Sequence, residues 1–276
     1  MIDPDKLLAL EPTRREISWT TRDVLLYQLS LGADDLSYVY ERGLQVLPTF
    51  AMVAGQGLSA GDDAEPALDL AALGIDLATI LHAGQSLTVH GPLPTTGSTI
   101  VETRIAEVWD KGKAAVIVLE SRTSLWTSRM QIWARGAGGF GGQPGPEEVA
   151  VLPGRTPDHV LDSPTYAGQA LLYRLNGDLN PLHADPAFAK KVGFDRPILH
   201  GLASYGIVAK ALVDGLLDGD AARLTTLSVR FAGTLFPGET IRTSVWRDGN
   251  LLTLAATCPE RDGAPVLSHA YAEVTP

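Results

Sequence analysis

The sequence predicts an α+β fold built from two similar halves, each with a buried helix wrapped by a curved antiparallel sheet. Short segments recur in the same order, since residues 25–29 match 171–175 at an offset of 146 and residues 97–100 match 238–241 at an offset of 141. Each half also contains segments of alternating apolar and polar residues separated by glycine or proline, as is typical of antiparallel strands. Duplication of one ancestral half explains both observations.

The helices and strands can be placed along the chain from local signals. A short helix is predicted from Pro186, with Asp185 as its N-cap, to just before Gly193. A longer, mostly buried helix begins at or near Gly201 and runs to about Leu216, because apolar residues recur there at three- and four-residue spacing. The predicted strands are 84–91, 98–108, 113–122 and 127–136 in the first half, and 224–232, 239–248, 250–259 and 265–274 in the second.

The boundary between the halves is a stretch rich in glycine and proline. We predict an N-terminal half at residues 1–135, a linker at 136–150 and a C-terminal half at 151–276. The stretch does not match a phosphate-binding loop, because it lacks a Gly-Lys-Ser/Thr ending and does not open a helix.

Composition argues against several classes of protein. The chain has 276 residues, of which 45% are hydrophobic, and its 22 Lys and Arg against 32 Asp and Glu give a net charge of −10. Such an acidic chain is a poor general partner for nucleic acid or anionic membranes. It contains no run of 18 apolar residues and no signal peptide, so we expect a cytoplasmic protein. Because Cys258 is the single cysteine and the six histidines lack metal-ligand spacing, we expect no disulfide and no metal site.

The segment 173–183 contains the strongest candidate for chemistry. It places Asp178 and His183 five residues apart in a turn that Gly177 and Pro181 restrict. An acid and an imidazole aimed at one small volume can hold a water molecule and move its two protons separately. The alternative is a well-formed surface loop in which both residues only cap or solvate the turn.

Gly201 is a second candidate, since it lies at or near the start of the long helix. The first amides of a helix have no internal acceptor and carry the positive end of the helix dipole. A glycine there lets a ligand oxygen approach the backbone N–H closely, as in an oxyanion hole. The alternative is a glycine that only eases the chain into the helix.

The repeat predicts one working site per chain. At the offset of 146, Asp178 corresponds to Gly32 and His183 to Ser37, so the first half lacks both the acid and the imidazole. We therefore place the site in the second half and expect the first half to shape the pocket.

Nearly the whole chain resembles one known family. The matching stretches of the second half are 173–183, 193–202, 229–231 and 236–238, and those of the first half are 45–50, 81–82, 92–94, 110–113 and 135–142. They resemble the MaoC-like dehydratases, that is, the hydratase 2 family of (R)-specific enoyl-CoA hydratases, which includes the hydratase part of peroxisomal multifunctional enzymes of type 2. The resemblance implies a double hot-dog fold.

The resemblance also implies roles for individual residues. Asp178 and His183 would hold the reacting water, Asn180 would support them, and the Gly201 amide would bind the thioester carbonyl. The residues implied in binding the acyl-CoA are His82, Ala83, Lys111, Leu179, Pro181, Leu182 and Phe231. Ala83 stands where relatives have glycine. The implied reaction is reversible addition of water to a trans-2-enoyl-CoA in fatty-acyl or sterol side-chain metabolism. The reaction needs no metal or redox cofactor, and CoA is part of the substrate. We expect the chain to form a homodimer.

Some alternatives stay open at the level of sequence. The same pair could serve an acyl-carrier-protein dehydratase, or a hot-dog thioesterase in which water attacks the carbonyl instead of the double bond. A protein that only binds acyl thioesters is a third alternative. The sequence does not decide which of Asp178 and His183 is the base and which the acid.

Overall fold

The computed structural model describes residues 2–56, 80–146 and 152–276. Within these segments, ten strands form one antiparallel sheet. They are β1 (Thr13–Trp19), β2 (Ile80–Val89), β3 (Gly97–Asp110), β4 (Ala114–Arg122), β5 (Trp126–Arg135), β6 (His159–Pro164), β7 (Leu224–Phe231), β8 (Thr240–Asp248), β9 (Leu251–Cys258) and β10 (Ala264–Val274).

The α-helices of the described segments are short, with one exception. They are α1 (Pro4–Leu8), α2 (Thr21–Ser30), α3 (Leu36–Val39), α4 (Gln169–Tyr173), α5 (Pro186–Lys191) and α6 (Gly201–Leu216). Short 3-10 helices include Pro48–Met52, Arg174–Asn176, Pro181–His183, Ala221–Arg223 and Pro259–Arg261. The 16-residue α6 is the central helix of the second half, and most of its residues are buried in the main core.

The sheet order confirms the duplication. It reads β1-β3-β4-β5-β2 and then β7-β10-β9-β8-β6, so the second half repeats the first in reverse around a central antiparallel pair of β2 and β7. Ser86 lies opposite Ser228 in that pair. The repeated helices also meet, because the Asn176 amide group donates to the Ser30 hydroxyl at 3.0 Å, and these residues are related by the offset of 146. The predicted α+β double hot-dog fold is therefore confirmed.

All eight predicted strands are present, with ends within four residues of those predicted. The prediction of four strands in each half was nevertheless wrong, because β1 and β6 add one strand to each. Both lie at the edges of the sheet. Most of their residues are exposed or half-buried, so they lack the apolar alternation by which the inner strands were recognised.

The predicted central helix of the first half is only partly within the described residues. The counterpart of α6 at the offset of 146 would span 55–70, and residues 57–79 lie outside the described part of the chain. The described residues just before it form the 3-10 helix Pro48–Met52, which packs against α6.

The described part of the predicted linker, residues 136–146, folds back onto the end of β3. The Asp110 carboxylate accepts hydrogen bonds from the amides of Gly112, Gly139 and Gly141 at 2.7–2.9 Å. These amides are engaged by a carboxylate of the chain itself, which agrees with the rejection of a phosphate loop. The rest of the linker, 147–150, lies outside the described residues, and the domain limits stay predictions. No helix in the described part of the chain is long and apolar enough to cross a membrane.

Candidate active site

The turn before Asp178 is fixed from both halves of the molecule. The buried Asn176 side chain donates to the Tyr173 carbonyl at 2.8 Å as well as to Ser30. Gly177 then ends the 3-10 helix with φ of +119°, in the left-handed region that glycine tolerates. A Cβ at this position would lie 2.1 Å from the carbonyl oxygen of Gln56, so only glycine fits.

The turn itself brings the acid and the imidazole together, as predicted. The Asn180 amide donates to Asp178 Oδ1 at 3.1 Å, and Asn180 Oδ1 accepts from the Leu182 amide at 3.0 Å. Asn180 is therefore the N-cap of the 3-10 helix Pro181–His183. That helix carries His183 back toward Asp178.

His183 is held in one tautomer by its second ring nitrogen. Its Nδ1 lies 2.9 Å from the Ile198 carbonyl oxygen, and because a carbonyl can only accept, Nδ1 carries the proton. In neutral His183, Nε2 then presents a lone pair, 4.0 Å from Asp178 Oδ2. This distance is too long for a direct hydrogen bond, but one water oxygen can lie at about 2.8 Å from both atoms.

Burial sets the charge of this pair. The His183 side chain is 10% exposed and the Asp178 side chain 54% exposed. Burial lowers the pKa of His183 below its usual value, and the hydrogen bond to Ile198 and the charge of Asp178 oppose that shift only in part. A neutral imidazole beside an accessible carboxylate can accept a proton from water near neutral pH.

His200 completes the cluster. Its ring stacks on that of His183, with centroids 3.7 Å apart and an interplanar angle of 26°. Its Nε2 lies 3.3 Å from the backbone carbonyl oxygen of Asp178, to which it donates. Burial and the neighbouring His183 lower the pKa of His200 to about 4. The sequence signals for its place in the site were its position directly before Gly201 and its membership of the matching stretch 193–202.

Gly201 opens α6, as predicted, and its amide has no acceptor within the helix. A Cβ at Gly201 would lie 3.1 Å from the Phe231 ring, so that ring covers the helix start. The His82 ring packs edge-on against Phe231, with centroids 4.7 Å apart. Ala83 occupies an irregularity in the pairing of β2 with β5, between His82 and Gly84. Sheet bulges of this kind are frequent beside active sites.

The other predicted binding residues divide into two groups. Leu179 and Pro181 are exposed and Leu182 is half-buried, all within the catalytic turn. Lys111 instead lies in the turn between β3 and β4, with its ammonium 5.6 Å from the centre of the Trp109 ring. Its described contacts do not join it to the Asp178–His183 cluster.

A cavity of about 370 Å³ lies in the first half, next to this site. Its lining includes Leu119, Trp126 and Met130 together with the polar side chains of Thr103, Ser121 and Ser128. Two further lining residues tie it to the site. Leu202 follows Gly201 in α6, and the carbonyl of Gln56 is the group that faces Gly177.

Asp178, His183 and His200 also form a group whose potential ligand atoms lie within 4.8 Å of one another. The geometry does not suit a metal ion. The two imidazole rings are stacked, so their lone pairs lie in two nearly parallel planes and do not converge on one point. An ion at about 2.1 Å from both nitrogens would lie far outside both ring planes.

Acid should destabilise the fold through two histidines that each have a buried ring nitrogen. Burial lowers the pKa of His82 and of His200 to about 4, below the value of about 6.5 in an unfolded chain. The unfolded state therefore binds more protons between these values, and the contribution of these histidines to stability falls as pH drops from 6.5 to 4 and then levels. We expect the free energy of unfolding to fall by about 3 kcal/mol per histidine over this range. Urea unfolding at several pH values checks this, and His82→Phe should reduce the slope. An unchanged slope would contradict the assignment.

Two family models match the chain in succession. The MFE-2 hydratase 2 N-terminal domain matches residues 17–135, and the MaoC-like domain matches residues 148–255. The chain is 46% identical over 280 residues to an enoyl-CoA hydratase of Mycobacterium tuberculosis, covering 97% of each chain. It is 38% identical over 288 residues to the peroxisomal enoyl-CoA hydratase 2 of Arabidopsis thaliana, covering 94% of this chain and 91% of that one. The crystal structure of a MaoC-like dehydratase from Phytophthora capsici superposes with a TM-score of 0.90 at 32% identity, covering 98% of each chain.

The double hot-dog sheet and the Asp–His turn beside a helix start define a class of enzymes that add or remove water. This chain belongs to the MaoC-like dehydratase family, with a first half of the MFE-2 hydratase 2 type, and is a hydro-lyase. The resemblance predicted from the sequence is thereby confirmed.

Proposed function

We propose that the chain is an (R)-specific 2-enoyl-CoA hydratase, which adds water reversibly to a trans-2-enoyl-CoA to give a (3R)-hydroxyacyl-CoA. The separation of 4.0 Å between Asp178 Oδ2 and His183 Nε2 carries this proposal, because it matches one water held by both groups. The curated relatives named above, an enoyl-CoA hydratase and an enoyl-CoA hydratase 2, support the same reaction.

The reaction needs a base, an acid and a site for negative charge. The water oxygen bonds to C3 of the substrate while one of its protons passes to the Asp178–His183 pair. The pair returns a proton to C2, so that the elements of one water are added. In between, charge develops on the thioester oxygen, and the Gly201 amide at the start of α6 would stabilise it. Neutral His183 is suited to be the base.

The acyl group would lie in the cavity of the first half. Leu202 lines this cavity directly after Gly201, so a thioester bound at the Gly201 amide has its acyl chain at the cavity wall. A volume of about 370 Å³ is within the range of small-molecule sites. His82 and Phe231 would contact the thioester region, as their packing beside Gly201 suggests.

Four further features belong to this proposal. The reaction needs no metal or redox cofactor, and CoA enters only as part of the substrate. We expect a homodimer, which sedimentation velocity would test. The cytoplasmic location and the preference for fatty-acyl or sterol-derived chains stay predictions.

The test is loss of enoyl-thioester absorbance on adding the enzyme to a medium-chain trans-2-enoyl-CoA, with chiral analysis of the product. A (3R)-hydroxyacyl-CoA that forms with wild type and not with Asp178→Asn would support the proposal. Release of free thiol would identify a thioesterase instead. Binding without turnover, for both CoA and carrier-protein thioesters, would leave a binding protein.

Gly201→Ala should lower activity without unfolding the protein. The added methyl group would lie 3.1–3.2 Å from the Phe231 ring, so the ring or the helix start must shift beside the proposed thioester site. We expect kcat/KM to fall by about tenfold to a hundredfold, since small displacements of oxyanion donors are costly. The free energy of unfolding should change little, because alanine favours a helix over glycine by up to about 1 kcal/mol. Gly91→Ala, where the new methyl group meets open space, is the control. Wild-type kcat/KM in Gly201→Ala would refute the role of this amide.

A further inference from the structure

His200 contacts each of the three groups assigned to the reaction. Its ring covers the His183 ring at 3.7 Å. Its Nε2 donates to the Asp178 carbonyl at 3.3 Å. Its own carbonyl accepts from the amides of Ala203 and Ser204, so it also begins the helix that presents Gly201.

The surroundings of His200 keep its imidazole ring neutral and restrict its motion. It is 1% exposed, and the Tyr173 ring lies on it with centroids 4.9 Å apart. The charged or titratable groups facing it are Tyr173, Asp178, His183 and Arg174. Its Nδ1 is buried and has no hydrogen-bond partner among the described residues. A buried lone pair without a partner does not stabilise the fold. The presence of a histidine at this position is therefore explained by the contacts of its ring and of Nε2.

We propose that His200 is a positioning residue for the hydration proposed above, and the inference rests on that function. It fixes the ring plane of His183 by stacking and fixes the backbone of Asp178 by its hydrogen bond. The two groups that would share the water are thereby both held by His200, which is joined covalently to Gly201.

A neutral neighbour also matters during turnover. When His183 takes a proton from water it becomes an imidazolium, and a charged ring stacked at 3.7 Å would oppose that step. A neutral ring fills the same volume, excludes water and carries no charge. Phenylalanine can copy the ring but not the Nε2 donor, whereas glutamine can copy the donor but not the ring.

Two variants therefore separate the two contacts. In His200→Phe the stack remains and the hydrogen bond to Asp178 is lost, so kcat should fall about tenfold with KM within twofold. The pH at which kcat/KM falls on the acid side should not move, because the burial of His183 is kept. In His200→Gln that pH should rise toward 6.5, because water replaces the ring and the burial that lowers the pKa of His183 is reduced. His159→Phe, at an exposed histidine of β6, is the matched control.

Two results would overturn the inference. One is activity of both variants within twofold of wild type and an unchanged pH profile. The other is a loss of activity fully explained by a loss of folded protein, measured by thermal unfolding under the assay conditions. NMR of the His183 ring nitrogens gives a readout that needs no turnover, since the Nδ1-protonated tautomer should persist in His200→Phe and become mixed in His200→Gln. Failure of the wild type to hydrate any enoyl thioester would instead refute the proposed function, while the NMR result would still test the positioning.

Discussion

Asp178→Asn should lower kcat by about three orders of magnitude or more, and His183→Ala by a similar factor. Each change removes one of two groups that together hold and deprotonate the water, and general acid–base groups contribute roughly 10²–10⁴-fold. The asparagine keeps the shape of Asp178 and an acceptor for the Asn180 amide, so the turn should survive. Steady-state hydration of a trans-2-enoyl-CoA measures the effect.

The two substitutions can be compared with matched changes elsewhere. Asp34→Asn and His159→Ala alter exposed residues of the same types away from the turn and should leave kcat within twofold. Circular dichroism and thermal unfolding should show the folded state intact in all four variants. If Asp178→Asn kept most of the wild-type rate, the carboxylate would not take part in proton transfer. The double variant should be little slower than either single variant, since the pair acts as a unit.

Much of the fold was predictable because its signals are local. The inner strands alternate apolar and polar residues, and Asp185, Pro186 and Gly201 mark helix ends by their own chemistry. The edge strands β1 and β6 were missed because they bury few side chains and depend on their neighbours for pairing. Their existence is a property of the sheet and not of their own sequences.

The candidate site was predictable where its residues are close in sequence. Asp178, Asn180 and His183 lie in one turn, so proline and glycine signals suffice to place them together. The Ile198 carbonyl that selects the His183 tautomer lies 15 residues away, and its part depends on tertiary packing. The stack of His200 on His183 has the same origin, since both rings are brought together by the course of the chain between α5 and α6.

Gly177→Ala should destabilise the protein by about 3–5 kcal/mol, the largest stability effect we expect from a single methyl group. Two costs add. The backbone has φ of +119°, which strains any residue with a Cβ, and that Cβ would lie 2.1 Å from the Gln56 carbonyl oxygen. Gln56 cannot easily withdraw, because its amide donates to the Val53 carbonyl at 3.0 Å and its side chain to the Met52 carbonyl at 3.1 Å. Thermal unfolding should show a decrease in Tm of roughly 10 °C.

Two other glycines separate the costs. Gly193 has φ of +96° with no atom within 4 Å of an added Cβ, so Gly193→Ala measures backbone strain alone, about 1–3 kcal/mol. Gly154 has open space and no left-handed φ, so Gly154→Ala should be nearly neutral. Gly177→Ala should lower the free energy of unfolding more than Gly193→Ala does, and the difference measures the cost of the clash with Gln56. This contact joins the first half to the turn that carries Asp178. If both variants lost the same free energy of unfolding, Gln56 could move away from the added methyl group at little cost. The first half would then not fix the catalytic turn through Gln56.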